Sequence, residues 1–173
     1  MSDGPATCHG VLLAVAGAGL LVTGPAGCGK SALALELLRR GHQLVADDAV
    51  ELELRGGELL GRCPAGLTGL LHLRALGIIQ VDTLFGPQAV RAQAQRVDLA
   101  LLLGPLPEDN PDSRWQGHRD LWEIAGARLP RLRLDPQAGP YLATLAEAAL
   151  MRWRGEGAMA PTWAAGDNAG AAS

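Results

Sequence analysis

Apolar residues fall along this chain in short runs broken by glycine. Gly10 to Val15 and Leu20 to Thr23 are two such runs, and the Ala16-Gly17-Ala18-Gly19 between them predicts two strands joined by a turn. Past Thr23 a Gly-rich stretch intervenes, and the period then changes. Leu33, Leu37 and Leu38 recur at helical spacing, basic residues fill the last turn, and Gly41 supplies a stop, which predicts a helix from Ser31 to Arg40. Gln43 to Ala46 reads as a short buried strand ending in Asp47-Asp48. Val50, Leu52 and Leu54 then alternate with Glu51, Glu53 and Arg55 up to Gly56-Gly57, and Glu58 to Arg62 returns as the hairpin partner.

Leu67 to Leu76 is apolar with turn-forming glycine, and Gly77 to Val81 is β-branched enough for a strand. Val97 to Leu103 predicts a central strand, Gly104 to Gly117 a surface loop, and Leu132 with Leu134 one more short strand. From Tyr141 to Trp153, Leu142, Leu145, Ala146, Ala149, Leu150 and Trp153 share one face of an amphipathic helix. The pattern alternates strands and helices, so the fold class is α/β. At 173 residues the chain fits one domain, able to bury about two thirds of its unfolded surface. We assign that domain to residues 1–155 and expect an Ala/Gly/Pro-rich disordered tail over 156–173.

Composition narrows the function. A net charge of -3 with 19% charged residues supplies no basic stripe, which argues against a nucleic-acid or anionic-membrane partner. Cys8, Cys28 and Cys63 are odd in number and widely spaced, fitting neither a disulfide framework nor a metal knuckle, and no apolar stretch reaches the roughly 20 residues of a membrane span. A soluble, cytoplasmic protein is expected. The basic residues are fourteen arginines and a single lysine, Lys30. Where exposed lysines have been replaced by arginine throughout, the one retained marks a place where a compact ammonium is needed and a planar guanidinium does not serve.

Lys30 lies in Gly24-Pro25-Ala26-Gly27-Cys28-Gly29-Lys30-Ser31, a Gly, four residues, Gly-Lys-Ser pattern set between a predicted strand and a predicted helix. That context makes it a phosphate-binding loop: glycines turn backbone N–H groups inward around an anion, the helix adds its positive end, and Lys30 adds a full charge. Ser31 is the expected Mg²⁺ ligand. Asp47 and Asp48 fall at the C-terminal end of the next strand, the edge where α/β sheets gather ligands. One could hold Mg²⁺ while the other takes a proton from an attacking hydroxyl. His9 has no assigned role from its position alone, Arg74 is one of many arginines able to neutralise transferred charge, and Glu36 reads as a solvated charge.

The order His9-Gly10-Val11, then Gly24 to Ser31, then Ala34 to His42, Leu44 to Asp48, Leu71 to Ile79 and Thr83 to Gly86 resembles the HPr kinase/phosphorylase family. The resemblance runs through residues 8 to 103 and resumes at Glu147 to Arg154. It implies a P-loop kinase core like the nucleotide-binding fold of phosphoenolpyruvate carboxykinase, without the family's N-terminal domain. It also implies ATP and Mg²⁺ as cofactors, a serine of the phosphocarrier HPr as acceptor, and a homo-oligomer, commonly a hexamer. On its residues, His9 and Lys30 match catalytic positions, Ser31 a metal ligand, and Asp47 the carboxylate that acts as base in phosphorylation and acid in the reverse. Arg114 is the match offered for a further catalytic arginine, and the metal ligands are taken as Ser31 and Asp48.

This chain departs from the pattern at five places. Pro25-Ala26 stands where the family loop commonly has Asp-Ser, His72 where it has a metal-binding glutamate, and Ala75 where it has glycine. Arg131 stands for a lysine and Pro140 for an arginine in the segment tied to dephosphorylation, so the kinase direction is expected to be better kept than the phosphorylase direction. The alternatives are a small-molecule kinase or NTPase on the same core, and a degenerate ATP-binding regulatory module.

Overall fold

The computed structural model describes residues 5–107 and 117–156. In chain order these form β1 (Ala6–His9), β2 (Val11–Val15), β3 (Ala18–Thr23), α1 (Lys30–Arg39), β4 (Gln43–Ala46), β5 (Ala49–Arg55) and β6 (Glu58–Arg62). There follow β7 (Leu70–Leu73), β8 (Gly77–Gln80), α2 (Val81–Phe85), β9 (Gln95–Leu103), β10 (Arg119–Ile124), β11 (Ala127–Leu134) and α3 (Leu142–Glu156). The expected α/β class holds, as a mixed sheet of order β1-β5-β6-β9-β3-β2-β4 with β11 and β10 added beyond β9, and a separate β7–β8 hairpin.

β9 is the hinge of this arrangement. Its first residues pair antiparallel with β6, and from Val97 onward it runs parallel to β3, with β11 parallel to its last four residues. β2 and β3 are buried along their whole length. Val11, Leu13 and Val15 join the core under α1 and α3, while Leu12 and Ala14 join a second core against β5 and β6. Both faces are therefore covered, which is why these strands read as unbroken apolar runs and not as alternation.

α1 begins one residue earlier than expected, at Lys30, because Gly29 takes a left-handed φ of 102° that turns the chain into the helix. Its far end is tied to α3: Glu147 accepts from Arg40 Nη1 and His42 Nε2, each at 2.7 Å. β1 was not expected as a strand, and β7 was read only as an apolar turn region. β10 was missed and β11 read as two residues, because Pro130 and interspersed arginines break the alternation of a hairpin that is only half-buried. Within the expected 104–117 loop, 108–116 lies outside the described residues, and so does the expected tail beyond Glu156. No described helix is long and apolar enough to cross a membrane.

Candidate active site

Strand register brings three chain segments to one edge of the sheet. Val11 at the start of β2 lies opposite Val22 near the end of β3, and Leu12 lies opposite Ala46 at the end of β4. The residues just outside those strands are His9-Gly10, the loop from Gly24, and Asp47-Asp48, so the topology alone gathers them.

The loop is shaped by its glycines. Gly24, Gly27 and Gly29 have φ of 140°, 78° and 102°, a region other residues rarely adopt. A Cβ on Gly24 would also fall 2.5 Å from the Leu103 carbonyl oxygen and 2.8 Å from Cys28 Sγ, so β9 and the loop touch at a point where no side chain fits. Cys28 packs on the core, while Pro25, Ala26 and Gly27 are exposed. Lys30 is 9% exposed, and its Nζ donates to the carbonyls of Gly24 at 2.9 Å and Pro25 at 3.1 Å. Its ammonium is thus drawn across the loop that its own helix begins. Ser31 follows it, half-buried in the first turn.

Asp47 is buried, and its Oδ2 accepts from the backbone N–H of His72 at 2.7 Å. Burial holds its carboxyl above the usual carboxylate range, against the downward pull of the His72 and Asp48 backbone N–H groups. The His72 imidazole is near enough to add a smaller downward pull, which places this histidine beside the site although its side chain is exposed. Asp48 does not share that setting. It takes a φ of 66°, turns outward, and pairs its Oδ1 with His9 Nδ1 at 3.1 Å.

Arg74, which composition could not single out, extends from the end of β7 so that Nη1 lies 3.5 Å from where a Cβ on Gly27 would sit. A cation therefore stands beside Gly27, in the exposed stretch of the loop. Glu36 pairs with Arg39 and Arg40 on the surface of α1, as expected of a solvated charge. Arg114 lies outside the described residues. Cys63 also neighbours Asp47, and burial pushes its thiol up, the Glu51 and Asp47 carboxylates adding to this against a hydrogen bond with Thr68. An apolar cleft of about 300 Å³ between α3 and the β10–β11 hairpin contains none of these residues.

A turned glycine loop, a buried ammonium, a second cation and a buried carboxylate together suit a polyphosphate and the acceptor of one of its phosphoryl groups. Residues 4–163 match the family model described as HPr Serine kinase C-terminal domain. The chain belongs to that family. The HPr kinase/phosphorylase of Clostridium beijerinckii is 40% identical over 146 residues, covering 84% of this chain and 48% of that protein. That of Aromatoleum aromaticum is 43% identical over 143 residues, 82% of this chain and 46% of the relative. This chain therefore spans about half the length of the curated relatives it matches. The solved HPr(Ser) kinase/phosphatase of Coxiella burnetii superposes with a TM-score of 0.77 at 33% identity, over 88% of this chain and 93% of that one. The expected P-loop kinase core is thereby established as the fold.

Fit to Mg²⁺ follows from the donors present. Among the described residues no three His, Cys, Asp or Glu side chains cluster as a protein cage. Kinase sites do not need one, because Mg²⁺ keeps several waters and takes much of its shell from phosphate oxygens. Ser31 at the loop and the Asp48 carboxylate, just beyond the end of β4 at the same sheet edge, supply oxygen donors for that sparse role.

Proposed function

We propose that residues 1–155 form a catalytic domain that binds ATP on the Gly24–Ser31 loop and transfers its γ-phosphoryl group to a serine of HPr. The observation that carries this reading is the convergence of Lys30 and Asp47, from different segments, at one sheet edge, with burial raising the Asp47 carboxyl. The loop N–H groups and the α1 N-terminus bind the phosphates, while Lys30 and Arg74 offset charge on the transferred group. The serine Oγ–H gives its proton to Asp47 as the new O–P bond forms and the bond from the γ-phosphorus to the bridging oxygen breaks, releasing ADP. A carboxyl held above its ordinary range is a better proton acceptor for that step. Mg²⁺, held by Ser31, a neighbouring aspartate and the phosphates, would neutralise charge on the phosphate oxygens. In the phosphorylase direction inorganic phosphate would take the place of the nucleotide: its oxygen attacks the serine-bound phosphorus, the bond from that phosphorus to the serine oxygen breaks, the Asp47 carboxyl gives its proton to that oxygen, and pyrophosphate leaves.

The family resemblance supports the cytoplasm as setting and a homo-oligomer, a hexamer in the family's common form, with HPr as partner. Incubation with ATP, Mg²⁺ and HPr, followed by mass spectrometry of HPr, tests the function. We expect one phosphate on one serine. ATP consumed with HPr unmodified would mean an NTPase or metabolite kinase, and ATP bound without turnover would mean a regulatory module.

A further inference from the structure

We infer that Arg133, near the end of β11, is a further phosphate-binding residue of this sheet edge, an inference that rests on the reading of the Gly24 loop as a polyphosphate site. β3, β9 and β11 run parallel and side by side, with Thr23 opposite Leu102 and Leu102 opposite Arg133. All three strands therefore end at one edge, where a sheet of parallel strands gathers its ligand. The phosphate loop follows β3 there, and Gly104-Pro105 follows β9.

The turn after β9 is fastened on both sides. The Leu103 carbonyl oxygen lies 2.5 Å from where a Cβ on Gly24 would sit, and the Gly104 N–H donates to the Leu134 carbonyl at 3.0 Å. Arg133 reaches across that turn. Its Nη1 donates to the Pro105 carbonyl at 3.2 Å and lies 4.0 Å from where a Cβ on Gly104 would sit, so the missing side chain leaves room for the guanidinium beside the entry to the phosphate loop. Among the described residues no carboxylate pairs with Arg133, whereas Asp120 takes up the neighbouring Arg131. A guanidinium carries five N–H donors, and its planar fork matches two phosphate oxygens at once. The bond to Pro105 aims the group and leaves most of those donors for a ligand.

The probe is pyrophosphate with Mg²⁺, its affinity measured by calorimetry on the native chain and on three variants. Arg133→Met keeps an apolar stem and removes every donor. Arg133→Gln loses the charge but still offers an N–H to the Pro105 carbonyl, and Arg133→Lys keeps the charge without the fork. Affinity should fall about ten-fold or more in both the methionine and the glutamine variants, the scale of one lost hydrogen bond between charged groups, and recover in part in the lysine variant. The difference should narrow as salt is raised. A glutamine variant that binds pyrophosphate as the native chain does would overturn the inference and leave Arg133 as a brace for the Pro105 turn. Should the methionine variant fail to fold, the glutamine and lysine variants decide in the same way. A native chain that binds pyrophosphate and ATP without phosphorylating HPr would overturn the proposed function and leave these affinities to decide the inference. A native chain that binds neither would overturn both.

Discussion

Lys30 shows most clearly what a single residue contributes. Its Nζ reaches two loop carbonyls within 3.1 Å while only 9% of the residue is exposed, a space that fits a compact ammonium. Lys30→Ala should abolish or severely weaken nucleotide-dependent turnover with the fold intact, and Lys30→Arg should fail as well, because a planar fork cannot take the same place. Near-normal turnover in the arginine variant would contradict this. The sequence revealed this residue twice, through the loop pattern and through its being the only lysine. It could not choose among fourteen arginines, because what distinguishes Arg74 is a hairpin that carries it to Gly27, 47 positions away in the chain.

His72 tests the metal at the same scale. A neutral imidazole suits hard Mg²⁺ less well than a carboxylate and brings no charge to offset it, and His72 adjoins Asp47. His72→Glu should therefore lower the Mg²⁺ concentration for half-maximal turnover, with Mn²⁺ as the parallel series. A glutamate variant no better in Mg²⁺ would mean that position 72 does not face the metal.

Among the elements, β7 and the tie between α3 and α1 were not disclosed by the sequence, although β8 and α3 themselves were. β7 is four residues of Leu70-Leu71-His72-Leu73, too short and too uniformly apolar to be told from a turn by periodicity. Yet its His72 N–H anchors the Asp47 carboxylate from 25 residues away, and no local pattern encodes such a contact. α3 was legible as a helix, but not its tie to α1 through Glu147. There burial works against ionisation, while the His42 hydrogen bond and the Arg40 charge outweigh it and hold the carboxyl below its usual range. A lowered folded value means stability that is present above the unfolded carboxylate range and lost as pH falls through the lower folded one. Glu147→Gln should cost about 1 kcal/mol near neutral pH, because the pair is partly solvated, and the difference from the native chain should vanish in acid. Denaturant melts across pH check this, and a pH-independent difference would mean that packing and not charge is at work.

For the whole molecule, the sheet edge is the unit of function. Alternating strands and helices made the α/β class and the strand–loop–helix readable, and register then explains why His9, the Gly24 loop and Asp47 meet: β2 starts where β3 and β4 end. The antiparallel β6–β9 junction was not readable because it is a long-range pairing, and the β10–β11 hairpin was not because Pro130 and interspersed arginines break the alternation of its half-buried strands. Concentrating function at this edge has a stability cost. The raised Asp47 carboxyl means that the free fold is favoured when this group is protonated and loses that advantage as pH rises through its folded value. Asp47→Asn, which keeps an oxygen for the His72 N–H, should melt no lower than the native chain at neutral pH and lose any gain in acid.

The same substitution gives the most direct test of Asp47 as the base beside a loop-bound phosphate. Single-turnover transfer of the ATP γ-phosphoryl group to HPr is measured for the native chain and for Asp47→Asn, with ATP affinity determined on the same samples. ATP affinity should stay within a few-fold while transfer slows by about 10²-fold or more, the order expected for loss of a positioned acid/base group. Transfer at the native rate, or a loss of ATP binding that matches the loss of transfer, would contradict it.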